Sequence, residues 1–229
     1  MSIAEKLQTI AENEQRVYEA GKQAEYDRFW ETHLSKAQDG IYAYAGKGWD
    51  DETFNPPRGT VIQPTYAYGM FFCTSITDLA ALCEEKEITL DFSKSTNFTQ
   101  TFYGSGNARL TRIGVVDTTN SAGLSQPFRG QSNLHTIDKL ILKADGTQTF
   151  TDKFRQCSYL VNIVIEGTIG QNGFDASPCT RLSHDSLMSI INALQSGVSS
   201  KTLTLGATNL AKLTDAEKAI ATQKGWTLL

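Results

Sequence analysis

Few residues in this chain of 229 have the types and spacing that enzyme chemistry requires. The three histidines, His33, His135 and His184, do not pair with one another at the spacing of metal ligands. His184 lies in the string Ser183-His-Asp-Ser, which contains the residue types of a hydrolytic triad. A triad is defined by geometry in space, however, and Ser and Asp are favoured where a helix begins. The string therefore predicts a helix N-terminus.

Glycine-rich and acidic segments are the other candidates for a binding site of small molecules or metals. Gly104-Ser-Gly-Asn and Gly46-Lys-Gly do not complete a phosphate-binding loop or a dinucleotide fingerprint. Asp50-Asp-Glu clusters three carboxylates without the alternating oxygen ligands of a calcium loop, which favours a turn or a helix start. We therefore predict a protein that is not an enzyme, with no catalytic residues, no metal and no cofactor.

The composition is within the ordinary range of globular proteins, with 40% hydrophobic and 20% charged residues. Its net charge of −4, with Lys and Arg scattered along the chain, disfavours a nucleic-acid partner. No segment reaches the roughly 20 apolar residues of a membrane span, and the polar N-terminus lacks the pattern of a signal peptide. We therefore expect synthesis in the cytoplasm without secretory export, and four cysteines that are packed free thiols.

A repeated phrase predicts the architecture. Phe128-Arg-Gly-Gln-Ser-Asn-Leu-His-Thr-Ile and Phe154-Arg-Gln-Cys-Ser-Tyr-Leu-Val-Asn-Ile both place Leu six and Ile nine residues after Phe. Phe102 opens a third copy 26 residues earlier with two residues inserted, and Phe71 opens a fourth that is one residue short. A fixed period of this length is typical of a solenoid. We expect a core of the repeated apolar residues: Phe71, Phe102, Leu110, Ile113, Phe128, Leu134, Ile137, Phe154, Leu160 and Ile163.

Short strands are expected after the phrases, at 112–116, 139–143, 162–166 and 201–205, each with one buried and one exposed face. Helices are predicted at 76–87, after Ser183, and at 215–223, where Thr214 and Glu217 have the spacing of a capping box. The candidate binding residues alternate with the buried ones on the exposed strand face: Arg112, Gly114, Lys139, Lys143, Asn162, Val164, Glu166, Lys201 and Thr204. An ordinary solvated strand face is the alternative interpretation of each of them.

Four segments follow from these patterns. Residues 1–37 have the spacing of an amphipathic, coiled-coil-like helix, and residues 38–66 form a linker and N-terminal cap. Residues 67–213 hold the repeats, and residues 214–229 form a C-terminal cap of a helix and a strand. The helix either packs on its own domain or attaches the protein to other chains. Three aromatic residues of the N-terminal cap are candidate contacts for a ligand, or else core residues of that cap: Tyr42, Tyr44 and Trp49.

The phrase Phe-x₅-Leu-x₂-Ile followed by a short strand resembles the BspA-like class of bacterial leucine-rich repeats, over residues 67–213. The terminus from Leu203-Thr-Leu-Gly-Ala-Thr-Asn to Gly225-Trp-Thr-Leu is similar to that of leucine-rich-repeat proteins encoded in phage and prophage tail regions of gut Firmicutes. The segment Ala45-Gly-Lys-Gly-Trp-Asp-Asp-Glu-Thr-Phe fits the same group. The resemblance implies an α/β-type leucine-rich-repeat solenoid of short strands, turns, 3₁₀ pieces and a few helices, with a long N-terminal helix.

The same resemblance implies a non-enzymatic recognition or structural module, a phage or prophage tail-fibre-associated protein that contacts a host-cell surface as part of the virion. Its partners would be a protein or glycan on a bacterial surface, with other tail proteins or further copies of the chain bound through the N-terminal helix. A BspA-like bacterial surface adhesin is one alternative. An enzyme that degrades cell-surface polymers is another, and it would need convergent carboxylates or a nucleophile–base pair.

Overall fold

Short parallel strands alternate with turns and a few helices along the chain. The computed structural model describes residues 8–10, 12–18, 20–21, 24, 54, 56, 58–104 and 108–229. The described residues between 8 and 24 are helical. After them come β1 (Val61–Ile62), α1 (Leu79–Glu85), β2 (Thr89–Leu90), β3 (Arg112–Asp117), β4 (Gly123–Ser125), β5 (Thr136–Ile141), β6 (Thr149–Thr151), β7 (Asn162–Glu166), α2 (His184–Asn192), β8 (Lys201–Leu203), α3 (Ala207–Leu210), α4 (Asp215–Gln223) and β9 (Trp226–Leu228).

The repeated Ile residues set the register of a three-stranded parallel sheet, in the order β3-β5-β7. Ile113 lies beside Ile137, and Ile137 lies beside Ile163, so that the Ile residues of three phrases form one buried row. The pairs β1–β2, β4–β6 and β8–β9 are also parallel. Parallel pairing follows because each strand is reached by a connection that returns the chain to the same end of the sheet.

Four parallel phenylalanine rings stack in the interior, those of Phe71, Phe102, Phe128 and Phe154. Successive ring centroids are 5.4, 5.6 and 5.7 Å apart, with interplanar angles of 4°, 12° and 9°. Phe54 closes one end of the stack edge-on at 5.4 Å, and Phe174 closes the other end at 5.9 Å. Each of these six side chains is at most 1% exposed, so the stack is part of the core.

Hydrogen bonds between phrases fix their spacing. The N–H of Phe102 donates to the carbonyl of Pro127 at 2.8 Å. Three residues after the Phe of a phrase, a side chain donates to the Phe carbonyl of the preceding phrase: Gln131 Nε2 to Phe102 at 2.8 Å, and Cys157 Sγ to Phe128 at 3.0 Å. Buried backbone groups must find such partners, and these bonds therefore hold each phrase at a fixed height above its neighbour.

Helix α2 covers the free edge of β7. The Oγ of Ser186 accepts a hydrogen bond from the N–H of Ile163 at 2.9 Å, and the Oγ of Ser189 accepts one from the N–H of Ile165 at 2.8 Å. The apolar face of the same helix is buried in the core through Leu187, Ile190 and Ile191. The edge amides are satisfied by side chains, and no further strand can pair there.

The C-terminal helix and strand form as the local signals predict. Thr214 and Glu217 make the capping box of α4, which confirms that prediction. Gly225 follows the helix with a φ of 92°, and a Cβ at this position would lie 1.7 Å from the carbonyl oxygen of Val198. Glycine is therefore required there by both backbone conformation and close approach. The buried Trp226 opens β9, and its Nε1 donates to the carbonyl of Gln195 at 2.9 Å.

The leucine-rich-repeat solenoid with a long N-terminal helix, which the resemblance implied, is wrong. Among the described residues the strands fall into separate parallel sheets of two, three, two and two strands, and no sheet continues through all copies. Helices α1 and α2 flank β3 and β7, where a continuous sheet would place further strands. Nor does the described part of the chain contain one helix over 1–37, since its helical residues there lie between 8 and 24.

The expected alternation of buried and exposed residues is found in β7 but not in β3 or β5. In β7 the buried residues Ile163 and Ile165 are two apart, whereas in β5 the buried Ile137 and Leu140 are three apart. The register between the two strands shifts at this point, as it does at a β-bulge. β3 has the three-residue spacing of β5, so that both strands turn two successive side chains outward. The strand predicted at 139–143 consequently begins three residues too late.

Replacing Phe128 with alanine is expected to lower the free energy of unfolding by about 3–5 kcal/mol, because it leaves a cavity in the middle of the ring stack. Denaturant-induced unfolding followed by circular dichroism measures the change. Val164→Ala is the matched control, because Val164 is 50% exposed on the neighbouring sheet. That variant should change the same free energy by no more than about 0.5 kcal/mol. Equal changes in the free energy of unfolding for the two substitutions would contradict a stabilising role of the ring stack.

Candidate functional site

The outward side of the three-stranded sheet gathers several of the predicted binding residues. We call it the sheet face and define it by Arg112, Gly114, Val115, Asp138, Lys139, Asn162, Val164 and Glu166. The opposite side of the same strands carries the buried Ile row. Outward side chains can therefore be replaced without disturbing the core, which is the usual basis on which a fold carries a binding site.

Two cross-strand ion pairs order the sheet face. The guanidinium group of Arg112 on β3 donates two hydrogen bonds to the carboxylate of Asp138 on β5, from Nε to Oδ1 at 2.9 Å and from Nη2 to Oδ2 at 2.7 Å. Lys139 Nζ on β5 lies 2.8 Å from Glu166 Oε2 on β7. Exposed pairs of this kind add little to stability, but they restrict where their side chains can lie. The face thus presents charges at defined positions rather than as mobile side chains.

Exposed apolar side chains lie among these charges. Val115 on β3 is 51% exposed and Val164 on β7 is 50% exposed, while Lys139 of the central strand pairs in register with Val115. Beside Val115, a groove of about 400 Å³ opens between α1 and β3, with Ala80, Leu90 and Gly114 in its lining. Its paired charges, exposed valines and adjoining groove make the sheet face the candidate binding surface among the described residues.

Only some of the predicted binding residues come together. Arg112, Lys139, Asn162 and Glu166 lie on the sheet face, but Lys143 lies beyond the end of β5. Lys201 opens β8 in a different sheet, and Thr204 pairs with Asp175 as an isolated bridge. The remaining candidates, Tyr42, Tyr44 and Trp49, lie outside the described residues.

Two residues of the sheet face, Val115 and Asp138, were not predicted from the sequence. Both follow from the bulge, because strict alternation from Arg112 and Lys139 assigns them to the inner side. A signal was present in the spacing, since Ile113–Val116 and Ile137–Leu140 repeat the same three-residue interval in neighbouring copies. Two copies with the same unusual interval indicate a shared bulge better than either copy alone.

The string at Ser183 begins a helix, as predicted. Ser183 is the N-cap of α2, and its side chain accepts a hydrogen bond from a first-turn N–H. His184 Nε2 lies 2.7 Å from Glu217 Oε1, and the side chain of Asp185 points into solvent. Hydrogen bonds from Thr214, the backbone N–H first among them, lower the pKa of Glu217. The histidine thus ties α2 to α4, and the serine has a capping role rather than that of a nucleophile.

The cysteine side chains are thiols that pack inside the protein or lie partly buried. All four cysteines are free, and Cys157 and Cys179 are buried, so the prediction of packed free thiols is confirmed for these two. Burial raises the pKa of Cys157 to about 12, which keeps it a neutral thiol that packs and donates a hydrogen bond. Within the described ranges, no three His, Cys, Asp or Glu side chains are grouped so that they could hold a metal ion.

Comparisons with known proteins add no family to this geometry. No protein-family model, curated protein or solved structure matches the chain. In the part of the chain that the structure describes, none of the helices combines the length and apolar character needed to cross a membrane.

A buried amine lies close to the ring stack. Lys153 is 1% exposed, and its Nζ lies 3.7 Å from the ring centroid of Phe174, 4.8 Å from that of Phe150 and 5.4 Å from that of Phe154. It donates one hydrogen bond, to the carbonyl of Gly173 at 3.2 Å. Burial lowers the pKa of Lys153 from 10.5 to about 7, and nearby Asp175 offsets only part of this effect. The protein therefore carries a lysine whose charged form is disfavoured by its surroundings.

The pH dependence of stability follows from this lysine. Between pH 7 and 10.5 the unfolded chain binds a proton at Lys153 that the folded protein does not, so the free energy of unfolding rises with pH. This contribution is complete above the unfolded pKa and is lost as the pH falls to the folded pKa. The full difference is on the order of 5 kcal/mol.

Lys153→Met is expected to raise the free energy of unfolding near pH 7 and to have a much smaller advantage near pH 10, because methionine keeps the shape and removes the amine. Denaturant unfolding of both proteins from pH 6.5 to 10 measures the difference. Lys94→Met, at an exposed lysine, controls for the loss of a surface charge. A difference between wild type and Lys153→Met that stays constant over the range would contradict the assignment.

Proposed function

We propose that this chain is a non-enzymatic recognition module that binds a protein or glycan of a bacterial surface through the sheet face. The observation that carries the proposal is the exposure of Val115 and Val164 on the same three parallel strands that carry two cross-strand ion pairs. Exposed apolar side chains cost free energy in water and release it when a partner covers them. The ion pairs supply the orientation, because a partner must match their charges.

Within this proposal, the protein works as part of a phage or prophage tail that contacts the host cell. The support is the similarity of its repeat phrase and terminus to those of tail-region proteins, together with the sheet face as a surface for the contact. In this role the protein is made in the cytoplasm of the host and then belongs to the virion. Recognition needs no catalytic group, since binding free energy alone attaches the particle.

Attachment to the tail, or to further copies of the chain, is assigned to the helical residues between 8 and 24. Ile10 and Val17, seven residues apart and so on one side of a helix, are 53% and 74% exposed. These two residues line an open pocket of about 510 Å³ together with Asn13, Glu14 and Tyr18. Such a row is suited to pairing with a second helix, which would cover the apolar side chains.

Changing both valines of the sheet face to glutamate is expected to weaken binding to cells at least tenfold, because it places unpaired charges where the partner must exclude water. Labelled wild type and Val115→Glu/Val164→Glu are titrated against a panel of gut Firmicutes strains, with circular dichroism to verify the fold. Val61→Glu is the matched control, since Val61 is 55% exposed on β1, in another sheet. Equal binding by all three proteins, or no strain bound by wild type, would contradict the proposal.

Self-association is tested separately. Ile10→Glu/Val17→Glu is expected to shift the chain to lower mass in sedimentation equilibrium, because charges on the apolar side of the helix oppose pairing. The unfolding transition of the repeats serves as the control and should not change, because neither residue is part of the core. A wild-type protein that is monomeric at every concentration would leave attachment to a different tail protein as the role of these residues and would contradict self-association.

A further inference from the structure

A second row of side chains lies in the turns that precede the strands. The residue after each stacked Phe belongs to it: Phe72, Tyr103, Arg129 and Arg155, which we call the turn stripe. The last three recur every 26 residues. Because the rings of Phe102, Phe128 and Phe154 stack at 5.6 and 5.7 Å, the residues that follow them rise in steps of similar size.

The aromatic end of the turn stripe is rigid. The rings of Phe72 and Tyr103 stack at 4.9 Å with an interplanar angle of 7°. The guanidinium carbon of Arg129 lies 5.9 Å from the centroid of the Tyr103 ring. A stack of this kind holds the arginine in place by cation–π attraction. It also leaves the Tyr103 ring with neighbours on both faces.

The arginine end has donors without acceptors. Arg129 Nη1 lies 4.0 Å from Asp152 Oδ2, and Arg155 Nη1 lies 3.6 Å from the same oxygen, so one carboxylate faces two guanidinium groups. Both distances exceed those of a hydrogen bond. The Nε of Arg129 is buried and has no hydrogen-bond partner among the described residues. Arg129, Arg155 and Asp152 together carry one excess positive charge, and Asp175 lines the same pocket as Arg155 and Asp152. The two guanidinium groups keep N–H groups without a hydrogen-bond acceptor among the described residues, on a chain whose net charge is −4.

A related pair continues this chemistry in the next turn. The guanidinium carbon of Arg181 lies 3.8 Å from the centroid of the Tyr159 ring, and Tyr159 is 45% exposed. These two residues occupy matching positions of consecutive copies, each directly before the buried leucine, Leu160 or Leu182. An arginine held against a tyrosine thus occurs twice on the turns.

We propose that the turn stripe binds an anionic polysaccharide, with Arg129 and Arg155 donating to carboxylate or phosphate groups that recur along the ligand. Guanidinium groups suit both acids, because their N–H groups match the two oxygens of such an anion. The Tyr103 hydroxyl is the group next to them that can exchange hydrogen bonds with sugar hydroxyls. This second site is separate from the sheet face and does not depend on the function proposed for it.

Single-stranded nucleic acid is the other polyanion with this charge pattern, and the geometry disfavours it. Proteins that bind single strands offer aromatic faces on which bases stack. The faces of Tyr103 are already occupied by Phe72 and Arg129, which leaves no platform for a base. An acidic polymer without bases makes better use of the same donors.

The test uses the full chain and four probes in isothermal titration at low ionic strength: poly(glycerol phosphate), polygalacturonate, neutral dextran and an oligothymidylate. Wild type should bind at least one of the two acidic polymers, and the arm that binds identifies phosphate or carboxylate as the ligand group. Raising the salt concentration should weaken that binding, because charged groups carry it. Tighter binding of dextran or of the oligothymidylate than of either acidic polymer would overturn the proposal.

Variants locate the site. Arg129→Gln/Arg155→Gln should weaken binding of the acidic polymer at least tenfold. Asp152→Asn should strengthen it severalfold, because it removes a negative charge that repels the polymer and competes for the two arginines. Unfolding cannot strengthen binding, so tighter binding by Asp152→Asn would support the site even if the double arginine variant failed to fold. Val61→Glu, on β1 and outside both surfaces, should bind the polymer as wild type does. Unchanged polymer binding by the arginine variant, or weaker binding by Asp152→Asn, would overturn the proposal while leaving the sheet face untouched.

Discussion

The stack of Phe71, Phe102, Phe128 and Phe154 is the constraint on which the rest of the described structure depends. Its spacing of 5.4–5.7 Å is close to the roughly 4.7–4.9 Å between neighbouring strands, so a ring and a strand can advance together from copy to copy. Equivalent positions of the phrases therefore come to lie above one another, including in the copy that Phe102 opens, where two inserted residues move Ile113 to 11 rather than nine residues after Phe. The buried Ile row and the two surface rows all arise from this one relation.

The sheet face and the turn stripe differ because their residues lie at different distances along the chain from the stacked Phe residues. The sheet face uses strand positions after the phrase, and a bulge adds Val115 and Asp138 to it. The turn stripe uses the position directly after Phe, which is outside the core. Lys153, directly before Phe154, shows the opposite case, because the ring stack there buries an amine and lowers its pKa to about 7. Such an amine weakens the fold near neutral pH instead of adding to it.

The sequence predicts the features of the structure that depend on the repeat period or on residues a few positions apart. The Phe, Leu and Ile offsets give the buried residues, and the Ser183 and Thr214 caps give the starts of α2 and α4, because each depends on neighbours a few residues away. The separation into small sheets depends on α1 and α2 flanking the central strands, which no repeat spacing reveals. The bulge likewise depends on pairing between strands. Arg129 and Arg155 looked scattered because they are 26 residues apart, although the same period brings them to one carboxylate.

Native-state hydrogen exchange tests the role of the ring stack most directly. The amides of β3, β5 and β7 are compared in wild type and in Phe128→Ala, with Phe128 on the phrase that leads into β5. If the stack holds the copies together, protection of β3 and β7 falls together with that of β5, because all three open as one unit. Loss of protection confined to β5, with β3 and β7 as slow to exchange as in wild type, would contradict the account.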